Sequence, residues 1–108
     1  MTEIYIKYYD TFCQISDGIK TVELRKKSKF FSQLIPMDKI NFVHNDDIIK
    51  CVIHSIKSMN YNELIKKINL KNLNKHIKTI NNADELYSSY YPNFDKNSEF
   101  IAIFFIKL

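Results

Sequence analysis

The stretch Gly18-Ile19-Lys20-Thr21-Val22-Glu23-Leu24-Arg25 decides how this chain is read. From Lys20 to Lys27, polar Thr21, Glu23 and Arg25 alternate with aliphatic Val22 and Leu24, which predicts a strand with one polar face and one face on a core. Gly18 is the only glycine in the chain, so here alone a left-handed backbone comes without steric cost. It ends a short upstream helix that Asp10 caps and that carries Phe12, Cys13 and Ile15. Before that helix, the Ile- and Tyr-rich run from Glu3 to Tyr9 predicts a first strand.

Downstream, Ser28 to Leu34 predicts one or two helical turns with Phe30, Phe31 and Leu34 inward, stopped by Pro36. Lys39 to His44 and Asp47 to Ser58 read as a hairpin across Asn45-Asp46, residues suited to a tight turn. Asn60 and Glu63 form a capping pair ahead of Tyr61, Leu64, Ile65 and Ile68, which share a helical face. Leu70, Leu73, Ile77 and Ile80 make a sparser stripe that reads as helix or loop. If helical, it sets Lys67, Lys71, Lys75 and Lys78 along one side. Asn82 caps a third helix whose Ala83, Leu86, Tyr87, Tyr90 and Tyr91 share a face, and Pro92 bars its continuation. Phe100 to Leu108, apolar on both faces, predicts a central closing strand. This order suits an α+β domain, a small curved sheet or barrel with its helices gathered on one side.

The chain has 108 residues, room for one domain, and its 45% apolar and 26% charged composition is that of a globular protein. Two cysteines, Cys13 and Cys51, are too few for a disulfide framework, and the first residues lack signal-peptide character. A reducing intracellular compartment, the cytoplasm, is therefore expected. The longest apolar run, Phe100 to Ile106, is far below the ~20 residues of a spanning helix, so no membrane association is expected. The formal charge of +4 favours polyanionic partners, although a Lys-, Asn- and Ile-rich composition produces a basic chain by itself. With one glycine, the glycine-rich phosphate loops, the dinucleotide fingerprint and the GxSxG elbow are excluded, and no cofactor is expected. Cys51 and His54 lie three apart on a predicted strand and so face opposite ways, while His44 falls elsewhere across the turn. No metal site is expected, and Cys51 reads as core.

The opening stretch resembles the G-x-K-T-x-E-x-R signature of the activating-signal-cointegrator-homology (ASCH) family, with the short helix that precedes it there. Ile35 to Phe42 is similar to the family's run into its next strand, and Tyr61-Asn62-Glu63-Leu64 to its Y-x-S-F-x-E-L helix start. Tyr90-Tyr91 matches its tyrosine pair, and Phe100 to Phe104 its closing strand. The chain departs from the pattern where the family usually has Gly-Asp and this sequence has Met37-Asp38, and where Gly-Val precedes the closing Ala-Ile and this sequence has Phe100-Ile101. The resemblance implies one PUA-like β-barrel of about five to six strands with helices packed on one side. It also implies an RNA, nucleoside or nucleotide ligand bound by a monomer.

On a strand, Thr21, Glu23 and Arg25 present a hydroxyl, an acceptor and a planar donor on one face, a set able to read a base edge and a phosphate. A solvated face with a weak Glu23–Arg25 pair explains the same spacing. Lys20 stands beside this face as a base or nucleophile if desolvated, or as an ordinary snorkelling lysine. An amidohydrolase of the family that deacetylates N4-acetylcytidine uses a Lys at this motif position, a Thr three residues on and a distant Glu. The resemblance therefore makes Lys20 and Glu23 the catalytic candidates for an amidohydrolase or a ribonuclease, since Glu23 stands where that Thr would be. Glu63, Asp84 and Glu85 are candidates for the distant Glu. Tyr90 and Tyr91 offer rings for base stacking, whereas Tyr87 reads as core. The lysine row Lys67, Lys71, Lys75 and Lys78 suits phosphates and equally a solvated helix face.

Overall fold

The alternation at Val22 to Arg25 becomes β2 (Val22–Lys26), one edge of a five-stranded sheet. The structure, a computed structural model, describes residues 2–108. The other strands are β1 (Thr2–Tyr5), β3 (Lys39–His44), β4 (Asp47–Asn60) and β5 (Glu99–Lys107), in the order β1-β3-β4-β5-β2. β1 pairs parallel with β3, and every other neighbour is antiparallel. β5 lies between β4 and β2, the place its two apolar faces require. The expected hairpin forms with His44 opposite Asp47, and Asn45 takes φ 51°, a conformation asparagine tolerates. β4 has 14 residues and an irregular register between Ile53 and Ser55, a bulge of the kind that bends a strand. The sheet curls into a half-barrel whose edges, β1 and β2, face each other across an open seam.

Two apolar clusters use the two faces of this curl. Ile4, Ile40, Phe42 and Ile103 fill one, which is completed by Phe12 and Ile15 of α1 (Tyr9–Ser16) and by Phe31 and Leu34 around α2 (Lys29–Ser32). Val22, Leu24 and Phe100 belong to the other, against α3 (Tyr61–Leu64), α4 (Leu70–Leu73) and α5 (Ile80–Tyr90). Phe100 stands where the family pattern has glycine, and here its side chain packs edge-on to Tyr61, Tyr87 and Tyr91. Among the described residues, no helix is long and apolar enough to cross a membrane.

Several helix boundaries differ from the sequence reading for identifiable reasons. Tyr8 is the N-cap residue of α1, and Asp10 sits in the first turn, where its charge suits the positive helix end. Phe30 is 49% exposed, because adjacent helical residues point about 100° apart and only Phe31 and Leu34 reach the core. Asn60 accepts from the Glu63 amide as expected, but the helix relaxes after Leu64 into a 3-10 turn, Ile65–Lys67. The stripe after Leu70 stays helical only to Leu73, since Asn74 is extended. Thr79, not Asn82, caps α5: its hydroxyl accepts from the Asn82 amide while Asn82 Oδ1 reaches back to the Lys78 amide.

Met37 has φ 77°, so the turn before β3 holds a left-handed residue where the family pattern has glycine. That conformation costs an L-residue about 1–2 kcal/mol. The turn is enforced by Met37 N–H donating to the Ile53 carbonyl at 2.8 Å and by Asp38 accepting from the Ile35 amide at 3.1 Å. Met37 is 78% exposed and packs little, so Met37→Gly removes strain without opening a cavity. Glycine's extra freedom in the unfolded chain offsets about 0.5–1 kcal/mol of the gain. A net stabilisation of up to about 1 kcal/mol is expected, seen as a Tm rise of roughly 4 °C in a thermal melt. An unchanged or lower Tm contradicts the strain argument.

Candidate ligand-binding cleft

The chain leaves α1 through Gly18 (φ 76°), and the amides of Ile19 and Lys20 both donate to the Gln14 carbonyl, at 2.9 and 3.0 Å. The Thr21 amide then donates to Asn72 at 2.8 Å, and regular pairing with β5 begins only at Val22. Strand alternation therefore does not reach back to Lys20, whose side chain turns onto the Glu23 face. Thr21 is half-buried and lies outside the cleft, its backbone carbonyl accepting from Phe105. Of the expected Thr21, Glu23 and Arg25, the structure brings Glu23 and Arg25 together with Lys20 and leaves Thr21 apart from them.

These three make an ion triad at the seam, with Lys20 and Glu23 buried and Arg25 partly exposed. The Lys20 ammonium donates to the carbonyls of Val22 and Leu73, both at 2.8 Å, and lies 3.1 Å from Glu23 Oε1. Glu23 Oε1 also accepts from the Leu24 amide at 3.2 Å, and Oε2 from Arg25 Nε at 3.2 Å and Nη2 at 2.9 Å. Arg25 Nη2 further donates to the Tyr5 carbonyl at 3.0 Å, tying edge strand β2 to edge strand β1. Lys20 is 3% exposed and Glu23 5%. Burial pushes the Lys20 pKa below the usual lysine value, opposed by the Glu23 charge. Burial alone raises Glu23, and the charges of Lys20 and Arg25 overcome it to hold the carboxyl below the usual range. The Arg25 guanidinium stays charged beside Glu23 and stands 5.5 Å over the Phe31 ring. All three N–H groups of Lys20 have acceptors and each Glu23 oxygen has two donors. Arg25 Nη1 has no partner among the described residues.

Above the triad opens a cleft of about 300 Å³, lined by the triad, the β1–α1 connection, Leu73-Asn74 and the end of α5. Tyr87 is buried there, as its place in the helical stripe suggests, and Tyr90 packs edge-on to it at 5.5 Å. Tyr90 is 38% exposed and stacks against Tyr8 with ring centroids 6.0 Å apart and planes 26° from parallel. Tyr91 also borders the cleft, and its hydroxyl accepts from the Lys26 amide at 3.2 Å.

Other sequence candidates fall elsewhere. Glu63 and Glu85 are exposed outside the cleft, and Asp84 pairs with Lys96 at 2.8 Å, so Glu23 is the only carboxylate lining the cleft among the described residues. Lys71, Lys75 and Lys78 border a separate shallow hollow with Asn69, Leu70 and Ile77. Lys67 lies outside it: it ends the 3-10 turn, and the extended Ile68 separates it from α4. His44 Nδ1 lies 2.8 Å from the Ile6 carbonyl, Cys51 is buried and His54 exposed. Sequence reasoning missed Lys7, Tyr8, Gln14, Leu73 and Asn74. Buried Gln14 braces the cleft wall: its Oε1 accepts from the Lys75 amide at 2.8 Å, and its Nε2 donates to Asp10 at 3.0 Å and Asn74 at 3.4 Å. Its spacing of four residues from Asp10 was the one signal in the sequence.

No protein-family model matches the sequence, and no curated protein matches it. Solved structures do. The hypothetical protein PH0355 superposes with a TM-score of 0.84 at 21% identity, covering 100% of both chains. The ASCH domain of Lactobacillus crispatus gives a TM-score of 0.69 at 14% identity over 98% of this chain and 78% of its own. A mutant ASCH protein of Zymomonas mobilis gives 0.64 at 16% identity over 97% and 69%. The fold is ASCH-like.

Proposed function

We propose that this ASCH-like chain binds a nucleobase in the seam cleft, presented by a nucleoside, ordinary or modified, or by single-stranded RNA. The observation that carries the reading is the triad: it engages Arg25 through Nε and Nη2 and leaves Nη1 without a partner among the described residues, in a cleft that Tyr90 also lines. Donor edge and aromatic face together suit a base, since polar groups give orientation and stacking gives affinity. The cleft volume of about 300 Å³ lies at the lower end of small-molecule sites. Glu23 and Lys20 act here as positioning groups, because their hydrogen-bonding capacity is spent on each other and on the backbone.

A hydrolase or ribonuclease using Lys20 has one observation in its favour, the burial that lowers its pKa. Against it stand three acceptors that hold all three protons, and the lack of a second carboxylate in the cleft among the described residues. Fluorescence anisotropy with a short labelled single-stranded RNA, at low and physiological salt, tests the binding reading. Arg25→Ala and Tyr90→Ala are each expected to weaken binding about tenfold, the equivalent of about 1.4 kcal/mol. Binding that neither substitution alters removes the cleft from the reading. Turnover of N4-acetylcytidine that is lost in Lys20→Met supports the hydrolase instead.

A further inference from the structure

The cleft carries an imbalance of charge that its proposed role as a base pocket leaves unused. Its lining includes three cations, Lys7, Lys20 and Arg25, against one carboxylate, Glu23. Lys20 and Glu23 face each other at 3.1 Å, and the remaining Lys20 protons go to backbone carbonyls, so that pair offers nothing outward. What remains is the charge of Arg25, with Nη1 unengaged among the described residues, and that of Lys7, which has no carboxylate partner among them and whose Nζ stands 5.5 Å from the Tyr8 ring centroid. An uncharged ligand leaves the net positive charge of the lining unmatched. A ligand bearing an anion satisfies it in a partly enclosed site, where charge-assisted hydrogen bonds are stronger than neutral ones.

The aromatic pair at the mouth sets the other half of the ligand. Tyr8 and Tyr90 stack on each other with ring centroids 6.0 Å apart and planes 26° from parallel, and the pair offers a base an aromatic surface to stack on. Tyr90 is backed by buried Tyr87, while Tyr8 lies in the connection between β1 and α1. Lys7 precedes Tyr8, so the segment that supplies one ring also supplies a cation.

We propose that the cleft selects a nucleotide over the corresponding nucleoside, with the base stacked on the Tyr8–Tyr90 pair and the phosphate on Arg25 Nη1 and the Lys7 ammonium. The inference rests on the base-binding reading and adds the anion. A free mononucleotide and a nucleotide unit of RNA share this chemistry.

Calorimetric titration of the four ribonucleosides and their 3′- and 5′-monophosphates separates the possibilities. At least one monophosphate is expected to bind about tenfold or more tightly than its nucleoside, with the preference shrinking at high salt. Lys7→Ala, at an exposed residue, reduces that preference without unfolding the chain, and Tyr8→Leu weakens nucleoside and nucleotide alike. Equal affinity for nucleoside and monophosphate, or a preference untouched by Lys7→Ala, overturns the inference and leaves the base-binding reading standing. Binding of a short oligonucleotide but of no mononucleotide also overturns it, as does binding of inorganic phosphate as tight as that of the nucleotides. If nothing binds in any arm, both readings fall. When both mononucleotide and oligonucleotide bind, combined replacement of Lys71, Lys75 and Lys78 by alanine identifies the source: weakening of the oligonucleotide alone marks an RNA strand.

Discussion

Glu23→Gln is expected to destabilise the fold by about 3–5 kcal/mol, a large part of the 5–15 kcal/mol typical of a domain. The carboxylate is the only anion between Lys20 and Arg25, and with it gone two cations face each other at a seam where Lys20 is 3% exposed. The amide retains one acceptor oxygen but brings an NH2 group toward existing donors. Urea denaturation at neutral pH reads the loss directly. Lys20→Met combined with Glu23→Gln is expected to recover much of it, because the second change removes the stranded charge and leaves a side chain of similar volume. If the double variant is no more stable than Glu23→Gln alone, the loss is steric and the electrostatic account fails.

Glu23 also fixes the direction of pH dependence. Its folded-state pKa lies below the ordinary value of 4.5, so folding favours the ionised form. That stabilisation is complete above the unfolded-state pKa and is lost as pH falls through the folded one. Stability should thus drop on acidification below about pH 4.5, and less steeply in Glu23→Gln, which has no proton to take up there.

What the sequence revealed and what it hid divide along the range of the interactions. The hairpin at Asn45-Asp46, the Asn60 cap and the alternation Val22-Glu23-Leu24-Arg25 are set by neighbours a few residues apart, and each forms where its pattern predicts. The half-barrel likewise follows from short alternating strands and an apolar closing strand. Lys20 was placed beside the polar face but without its partners, because the strand starts two residues later than the alternation suggests and one acceptor is the carbonyl of Leu73, 53 residues away. The break at Asn74 was hidden for the same reason. Its helical stripe continues in sequence to Ile80, but the Lys75 amide is captured by Gln14, 61 residues distant, and the Asn74 side chain accepts from the His76 amide. A local pattern lost to polar partners supplied by the tertiary fold, which no periodicity reports.

Gln14→Ala is the test of that capture, with an expected loss of about 2–3 kcal/mol from a buried unpaired amide and a small cavity. Gln14 is 1% exposed on α1, yet its side chain reaches the Asn74 side chain, the Lys75 backbone amide and the Asp10 carboxylate, whose other partners are His76 at 3.1 Å and the Lys75 ammonium at 4.0 Å. Truncation leaves the Lys75 N–H without its acceptor and frees the segment after Leu73. The Leu73 carbonyl is one of three acceptors for Lys20, so loosening there loosens the triad and the Arg25 edge that faces the cleft. Two readouts should move together: urea stability falls, and hydrogen exchange at the Lys75 amide accelerates by more than the global loss accounts for. Ligand affinity should weaken as well, although Gln14 is outside the cleft lining, because the wall it braces no longer holds one position. A variant with unchanged Lys75 exchange shows that the segment is held by Leu73 packing alone. The polar brace is then dispensable, and the break at Asn74 has to be attributed to the apolar burial of Leu73 and Ile77 on either side of it.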